Sequence, residues 1–180
     1  QTPFVVFPLK QARRDLDLEV LAAAGRGIRS AVICPSLIYG VGTGLNPHSV
    51  QIPFLASNAR ERGAVEIVGQ GLNVWANVHI EDVASLYQLV LEKGPGGAFY
   101  FAENGEASYA DLGQALAQRL GLHELVHLAP EVAAERWGVA RAYFSFGSNS
   151  RVRARRAREE LGWAPQHTSV FNWIANEAQF

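Results

Sequence analysis

Hydrophobic positions along the chain alternate between helical and strand spacings. From residue 10 to 25, Leu16, Val20, Leu21 and Ala24 recur at i, i+4, i+5 and i+8, and Gly25 with Gly27 supplies a stop. Residues 29–35 read as a strand whose apolar side chains run unbroken from Ala31, the pattern of a strand covered on both faces in a parallel sheet. Residues 36–49, rich in Gly, Asn and Pro, read as a loop. A helix is expected from about Ser49 to Arg62, with Val50, Phe54, Leu55 and Ala59 on its buried face. Strands follow at 65–68 and 74–80, around a turn at Gly69-Gln-Gly71. Glu81-Asp82 then opens a helix to Lys93, acidic at its start and basic at its end as the macrodipole prefers. Pro95-Gly-Gly97 turns the chain into a strand at Ala98–Ala102. Ser108, with Asp111 three residues on, caps a helix that ends at Gly121. A strand at 126–128 and a helix at 130–137 come next, 139–150 stay unassigned, and helices close the chain at 153–161 and 169–178.

Strands interleaved with helices argue for an α/β fold, and the short strands at 65–68, 74–80 and 126–128 for a smaller lobe beside the main sheet. At 180 residues, with 48% apolar and 18% charged, the chain holds one core, or one core with an appendage. A net charge of −1 gives no reason to expect a nucleic-acid or membrane partner. No apolar run reaches the ~18 residues needed to cross a bilayer, and no secretory leader is visible. The single Cys34 cannot form an intramolecular disulfide and reads as a small buried hydrophobe. Together these point to the cytoplasm. The chain starts at Gln1 and contains no Met, so it is expected to be a piece of a longer product, with Gln1 to Pro8 an extended segment.

Three segments carry the chemistry: Ala31-Val-Ile-Cys-Pro-Ser-Leu-Ile-Tyr-Gly-Val-Gly42, then Gly69-Gln-Gly71 with Asn77-Val-His-Ile-Glu-Asp-Val83, then Asn149 to Pro165 containing Glu160-Leu-Gly-Trp-Ala-Pro165. In that order they resemble the carboxyl half of the extended short-chain dehydrogenase/reductase family, the NAD-dependent epimerases and dehydratases. The resemblance implies a partial Rossmann-type parallel sheet, about 1–48 and 81–104, interleaved with a small α+β substrate-binding lobe, about 49–80 and 105–180. It also implies that Pro35, Ser36, Leu37 and Ile38 border the nicotinamide of NAD or NADP, with Tyr39 and Gly40 walling cofactor from substrate. The place is physically sensible, because ligands of open α/β sheets bind beyond the carboxyl ends of the strands. Asn46, Trp75, Asn77 and His79 join Tyr39 and Gly40 as substrate contacts, and Arg151 or Arg153 would reach an anionic group. Many members place a phosphate-binding arginine near position 75. Trp75 cannot do that job, which argues against a nucleotide sugar and for stacking or an apolar wall.

On the residues alone, Pro35 ends a strand, the glycines make turns, and His79 packs against a helix. Arg155–Glu159 and Arg156–Glu160 are expected i,i+4 pairs on a solvated face. The family's proton donor is a tyrosine four residues before a lysine, but the residues four before Lys10 and Lys93 are Val6 and Leu89. Gly40, Gly42 and Gly44 miss the dinucleotide spacing. No catalytic residue and no metal site is identified: His123 and His127 lack companions, and His48 and His167 read as isolated loop histidines.

Two readings follow. The first is the substrate-binding half of an NAD(P)-dependent epimerase, dehydratase or reductase acting on a hydroxyl or carbonyl carbon of a small molecule. That half alone would be inactive and bind cofactor weakly or not at all. The second is a non-catalytic binding or interaction module derived from that family. Either way, strand 29–35 would leave an apolar edge open, so a homo-oligomer or a chain supplying the first half is expected.

Overall fold

A computed structural model describes residues 6–180, so the extended reading of Gln1 to Pro8 lies mostly outside the described residues. Pro8 opens helix α1 (Pro8–Ala22), where its missing N–H costs nothing, and a 3-10 turn over Ala23–Arg26 ends it. Leu16 and Leu18 of α1 are exposed.

Strand β1 (Ala31–Pro35) pairs in parallel with a strand at Ala98–Ala102, from Ala31 opposite Ala98 to Pro35 opposite Ala102. In the latter, Ala98, Tyr100 and Ala102 are buried, while Phe99 and Phe101 stand half-buried on the other face, as a two-residue period requires. After a single residue, Ser36, the chain enters β2 (Leu37–Tyr39), a strand inside the stretch expected to be loop. Three residues are too few for a period to show, and the pairing that makes β2 a strand comes from elsewhere. Helix α2 (Gln51–Arg62), β3 (Val65–Val68) and β4 (Val74–His79) follow, and β4 supplies the parallel partner, Leu37 opposite Asn77 through Tyr39 opposite His79.

Helix α3 (Ile80–Lys93) leads from β4 into β5, the strand at Ala98–Ala102. A second unforeseen strand, β6 (Glu106–Ser108), pairs antiparallel with β4, and Ser108 then caps α4 (Tyr109–Leu120) by accepting the Asp111 N–H at 3.0 Å. β7 (Leu125–Leu128) lies parallel to β3. The unassigned stretch after α5 (Pro130–Trp137) is a three-residue helix α6 (Val139–Arg141) running into a π-helical turn over Ala142–Phe146. Phe146 is buried there and stacks on Phe54 at 5.4 Å. Helices α7 (Arg155–Leu161) and α8 (Val170–Asn176) complete the chain.

Two apolar cores result among the described residues. Ile33, Val83, Leu86 and Tyr100 form one together with Leu161 and Trp163, so α7, read with the substrate lobe, packs on β5 and α3. Leu37, Ile52, Leu55, Leu116, Trp173 and Ile174 belong to the other, between α2, α4 and α8. Glu66 is buried in β3 beside this second core, its charge met by Asn58 at 3.0 Å and by an ion pair with Arg136. Of the two expected pairs on α7, Arg156–Glu160 forms at 2.7 Å, and no ion pair joins Arg155 to Glu159 among the described residues. Among the described residues, no helix is long and apolar enough to cross a membrane.

Candidate functional site

The short strand β2 divides the side chains around it between two faces. Leu37 and Tyr39, each 1% exposed, point into the second core. Their neighbours Ser36 and Ile38 therefore face the opposite side, and with Gly40, Asn46, Ser49 and Ile80 they line a cavity of about 360 Å³. The loop that closes the cavity is held by its own backbone, with Gly42 N–H donating to Pro47 O at 2.7 Å and Val41 bridging His48. Ser36 anchors the junction of β1 and β2, since both its N–H and its hydroxyl donate to Ala102 O at 3.0 Å. Ser49 differs: its Oγ is buried and has no hydrogen-bond partner. A buried hydroxyl without a partner keeps both its donor and its acceptor capacity unused.

Gly40 is the hinge between the two faces. Its φ of 97° belongs to the region that favours glycine. A Cβ there would fall 2.4 Å from His79 Nε2 and 2.9 Å from Ile80 Cγ2, so the backbone lies flat against the imidazole.

Behind β2, opposite the cavity, sits a polar cluster. His79 caps α3, its Nδ1 accepting the Glu81 N–H at 3.3 Å. Its ring stacks on His167 with centroids 3.7 Å apart and planes 21° from parallel, and meets the Tyr39 ring edge-on at 5.2 Å. Burial lowers the His79 pKa, and the neighbouring His167 lowers it further, so the ring is neutral near pH 7. Burial, with the charges of Asp82 and Glu177, pushes the Tyr39 phenol up to about 12. Tyr39 keeps its proton at neutral pH, which it donates to His167 O at 3.3 Å, and it is no substitute for the family's acidic tyrosine.

His167 does not stand alone, contrary to the expectation from its position in a loop. Its N–H donates to Asp82 Oδ2 at 3.0 Å, its carbonyl accepts from Asn104 at 2.8 Å, and its Nε2 lies 2.9 Å from Glu81 Oε2. One ligand atom each from His79, Glu81 and His167 lies within 4.8 Å of the others. No local pattern could show this, because residues 79 and 167 meet only through tertiary packing.

The remaining expected site residues are distributed elsewhere. Pro35 ends β1 opposite Ala102. Trp75 is half-buried, its Nε1–H donating to Ser148 O at 2.7 Å and its ring edge-on to Tyr109. Asn77 is buried on β4, its N–H donating to Gly105 O at 2.9 Å. Arg151 and Arg153 both pair with Glu106, Arg151 at 2.8 Å, and these guanidiniums hold the Glu106 carboxyl down at about 2. Cys34 is half-buried and its thiol is pushed up by burial, a poor nucleophile. Of the expected residues, the structure brings Ser36, Ile38, Gly40 and Asn46 together at one cavity. It adds Ser49, which only its orphaned hydroxyl reveals.

Known proteins resemble this chain in sequence and in fold. An uncharacterized protein of Schizosaccharomyces pombe is 26% identical over 166 residues, covering 91% of this chain and 54% of its own length. The chain spans about half the length of the curated relatives it matches. Among solved structures, the dTDP-glucose 4,6-dehydratase of Bacillus anthracis in complex with NAD superposes with a TM-score of 0.69 at 22% identity. That match covers 93% of this chain and 50% of the dehydratase. RMD of Pseudomonas aeruginosa complexed with NADPH gives 0.64 at 20% identity, over 97% and 56% of the two chains. Residues 10–101 match the model of the NAD dependent epimerase/dehydratase family.

Proposed function

Because this chain belongs to the NAD-dependent epimerase/dehydratase family, we propose that its β2–α2 cavity takes the nicotinamide end of NAD or NADP together with a small-molecule substrate. The observation that carries this is the cavity itself, open beyond the carboxyl end of β2 and holding the orphaned hydroxyl of Ser49. Its volume of about 360 Å³ lies within the ~300–1,000 Å³ of small-molecule pockets. The residues present fit the group. Ile38 and Ile80 offer apolar surface to a planar ring, Gly40 lets the backbone approach, and Ser49 offers a hydrogen bond to a carboxamide or a substrate hydroxyl. Bound there, the nicotinamide would exchange a hydride with a hydroxyl or carbonyl carbon of the substrate. The chain's own residues would bind and orient. The proton would be carried by a group outside these 180 residues, since no Tyr-x-x-x-Lys pair occurs within them.

A partner is part of the same reading. Among the described residues β1 pairs on one edge only, with β5. Nearby Tyr87 and Leu91 of α3 and Leu16 and Leu18 of α1 are exposed. An unpaired edge flanked by apolar side chains favours a neighbouring strand, from a further segment of the gene product or a second copy. Sedimentation of the 180-residue chain is expected to show self-association, and a clean monomer would argue against it.

Hydrogen exchange on the complete gene product tests the cavity assignment. Saturating NAD or NADP should protect the amides of residues 36–50, and the Ser49→Ala variant should bind more weakly. Unchanged exchange in that stretch at saturation would sink the proposal. For the 180-residue chain alone, a titration of NADPH fluorescence should show weak or no binding. Tight cofactor binding without any turnover by the complete product would instead favour the binding-module reading.

A further inference from the structure

The cluster behind β2 is not used by the proposed cofactor cavity, and its chemistry is that of a cation site. We propose that His79, Glu81 and His167 bind a divalent transition metal of the zinc class, clipping the segment after α7 onto the start of α3. Two imidazoles and a carboxylate are a donor set suited to zinc. Glu81 and His167 stand 86 residues apart in the chain, so a metal held by the three would join two segments rather than decorate one.

Four features of the site support the assignment. The three ligand atoms already lie within 4.8 Å of one another. Ligands bonded at ~2.0–2.2 Å around a tetrahedral ion sit ~3.3–3.5 Å apart, so the approach needed is about 1 Å. The groups are also available: the Glu81 N–H reaches His79 Nδ1 over a long 3.3 Å, a weak bond for a metal to replace. A third feature is the support behind His167, whose backbone is fixed by Asp82, Tyr39 and Asn104, leaving only the ring to turn. Outer hydrogen bonds of this kind orient metal ligands. The last is charge. The adjoining cavity of about 200 Å³ is walled by Tyr39, His79, His167, Asn172 and Glu177 among others, with no Lys or Arg in its lining. Glu81, Asp82 and Glu177 make its field negative.

One adjustment is required. Stacked imidazoles direct their lone pairs along nearly parallel planes, and a single ion cannot lie in both. The His167 ring, with 35% of its side chain exposed, is free to turn about its own bonds while its backbone stays fixed. Binding therefore trades the ring stack and the His167–Glu81 hydrogen bond for three metal–ligand bonds. Because Gly40 rests on the His79 ring, the clip would also stiffen the wall behind the β2–α2 cavity.

Zinc chloride titrated into the purified chain in a calorimeter tests this directly. One ion per chain is expected, with a melting temperature that rises with zinc concentration. His167→Ala should lower the affinity by at least about tenfold, as should Glu81→Gln. His48→Ala and His123→Ala, elsewhere on the molecule, should leave it unchanged. Circular dichroism of the metal-free variants separates a lost ligand from a lost fold, and Glu81, exposed at the helix start, is the substitution least able to unfold the chain. X-ray absorption should report two imidazole nitrogens at ~2.0–2.1 Å. No one-to-one binding, or equal affinity in the wild type and both ligand variants, would overturn the proposal. Because the readouts involve neither cofactor nor turnover, failure here would leave the reading of the β2–α2 cavity untouched.

Discussion

Replacing Gly40 by alanine probes the contact on which both faces of β2 depend, and two separable costs add up. The first is backbone strain. At φ 97° an L-residue lies in a sparsely populated region, at a cost of about 1–3 kcal/mol. The second is steric. The new methyl would lie 2.4 Å from His79 Nε2, 2.7 Å from Cδ2 and 2.9 Å from Ile80 Cγ2, all well inside van der Waals contact. His79 cannot swing away freely, being capped into α3 and stacked on His167, so the usual overpacking cost of about 1–3 kcal/mol applies. The sum, about 2–6 kcal/mol, is a large share of the ~5–15 kcal/mol that stabilises a typical domain. Urea denaturation followed by tryptophan fluorescence reads it: with a slope of ~2–3 kcal/mol/M, the midpoint should fall by about 0.7–3 M. Two other glycines serve as controls. Gly27 has φ 82° but nothing within 4 Å of its virtual Cβ, so Gly27→Ala reports strain alone. Gly44 has neither constraint, and Gly44→Ala should be neutral or slightly stabilising. If Gly40→Ala costs no more than Gly27→Ala, the imidazole does not press on Gly40 and the described coupling of the two faces is wrong.

Three further perturbations address the surrounding structure. Glu106 has its pKa depressed from about 4.5 to about 2 by Arg151 and Arg153, so its stabilising contribution is present above the unfolded value and disappears as pH falls from about 4.5 through 2. Glu106→Gln should flatten that part of the acid limb of a urea-midpoint profile, and superimposable wild-type and variant limbs would show that the triad does not persist in solution. Asp82→Asn should destabilise by about 1–3 kcal/mol, because the carboxylate accepts the N–H groups of Gln166 at 2.7 Å and His167 at 3.0 Å. Faster exchange of those two amides is the signature, and unchanged rates would contradict the anchoring role. Ser49→Ala removes a buried hydroxyl that bonds to nothing, so the chain should melt at the same temperature or higher. A drop of several degrees would reveal a partner for Ser49 in the folded chain.

Most of the element order and the fold class were legible in the 180 residues because each depends on local chemistry. The unbroken apolar run before Pro35, the Ser108–Asp111 cap and the acidic start of α3 act over a few residues, and each holds in the structure. The family, too, was legible, in the ordered segments around Pro35, Asp82 and Trp163, and the match over residues 10–101 bears it out. What local chemistry could not reveal is everything that depends on which strands lie side by side. The three-residue strands β2 and β6 exist because β4 lies between them and takes hydrogen bonds from both. Strand β2 in turn decides that Leu37 and Tyr39 enter the core while Ser36 and Ile38 face the cavity, a division that adjacency in sequence conceals. The meeting of His79 with His167, and the capture of Arg151 and Arg153 by Glu106, likewise join residues tens of positions apart. Periodicity reports which face of an element is buried, but which elements share a face is settled only when the whole chain packs.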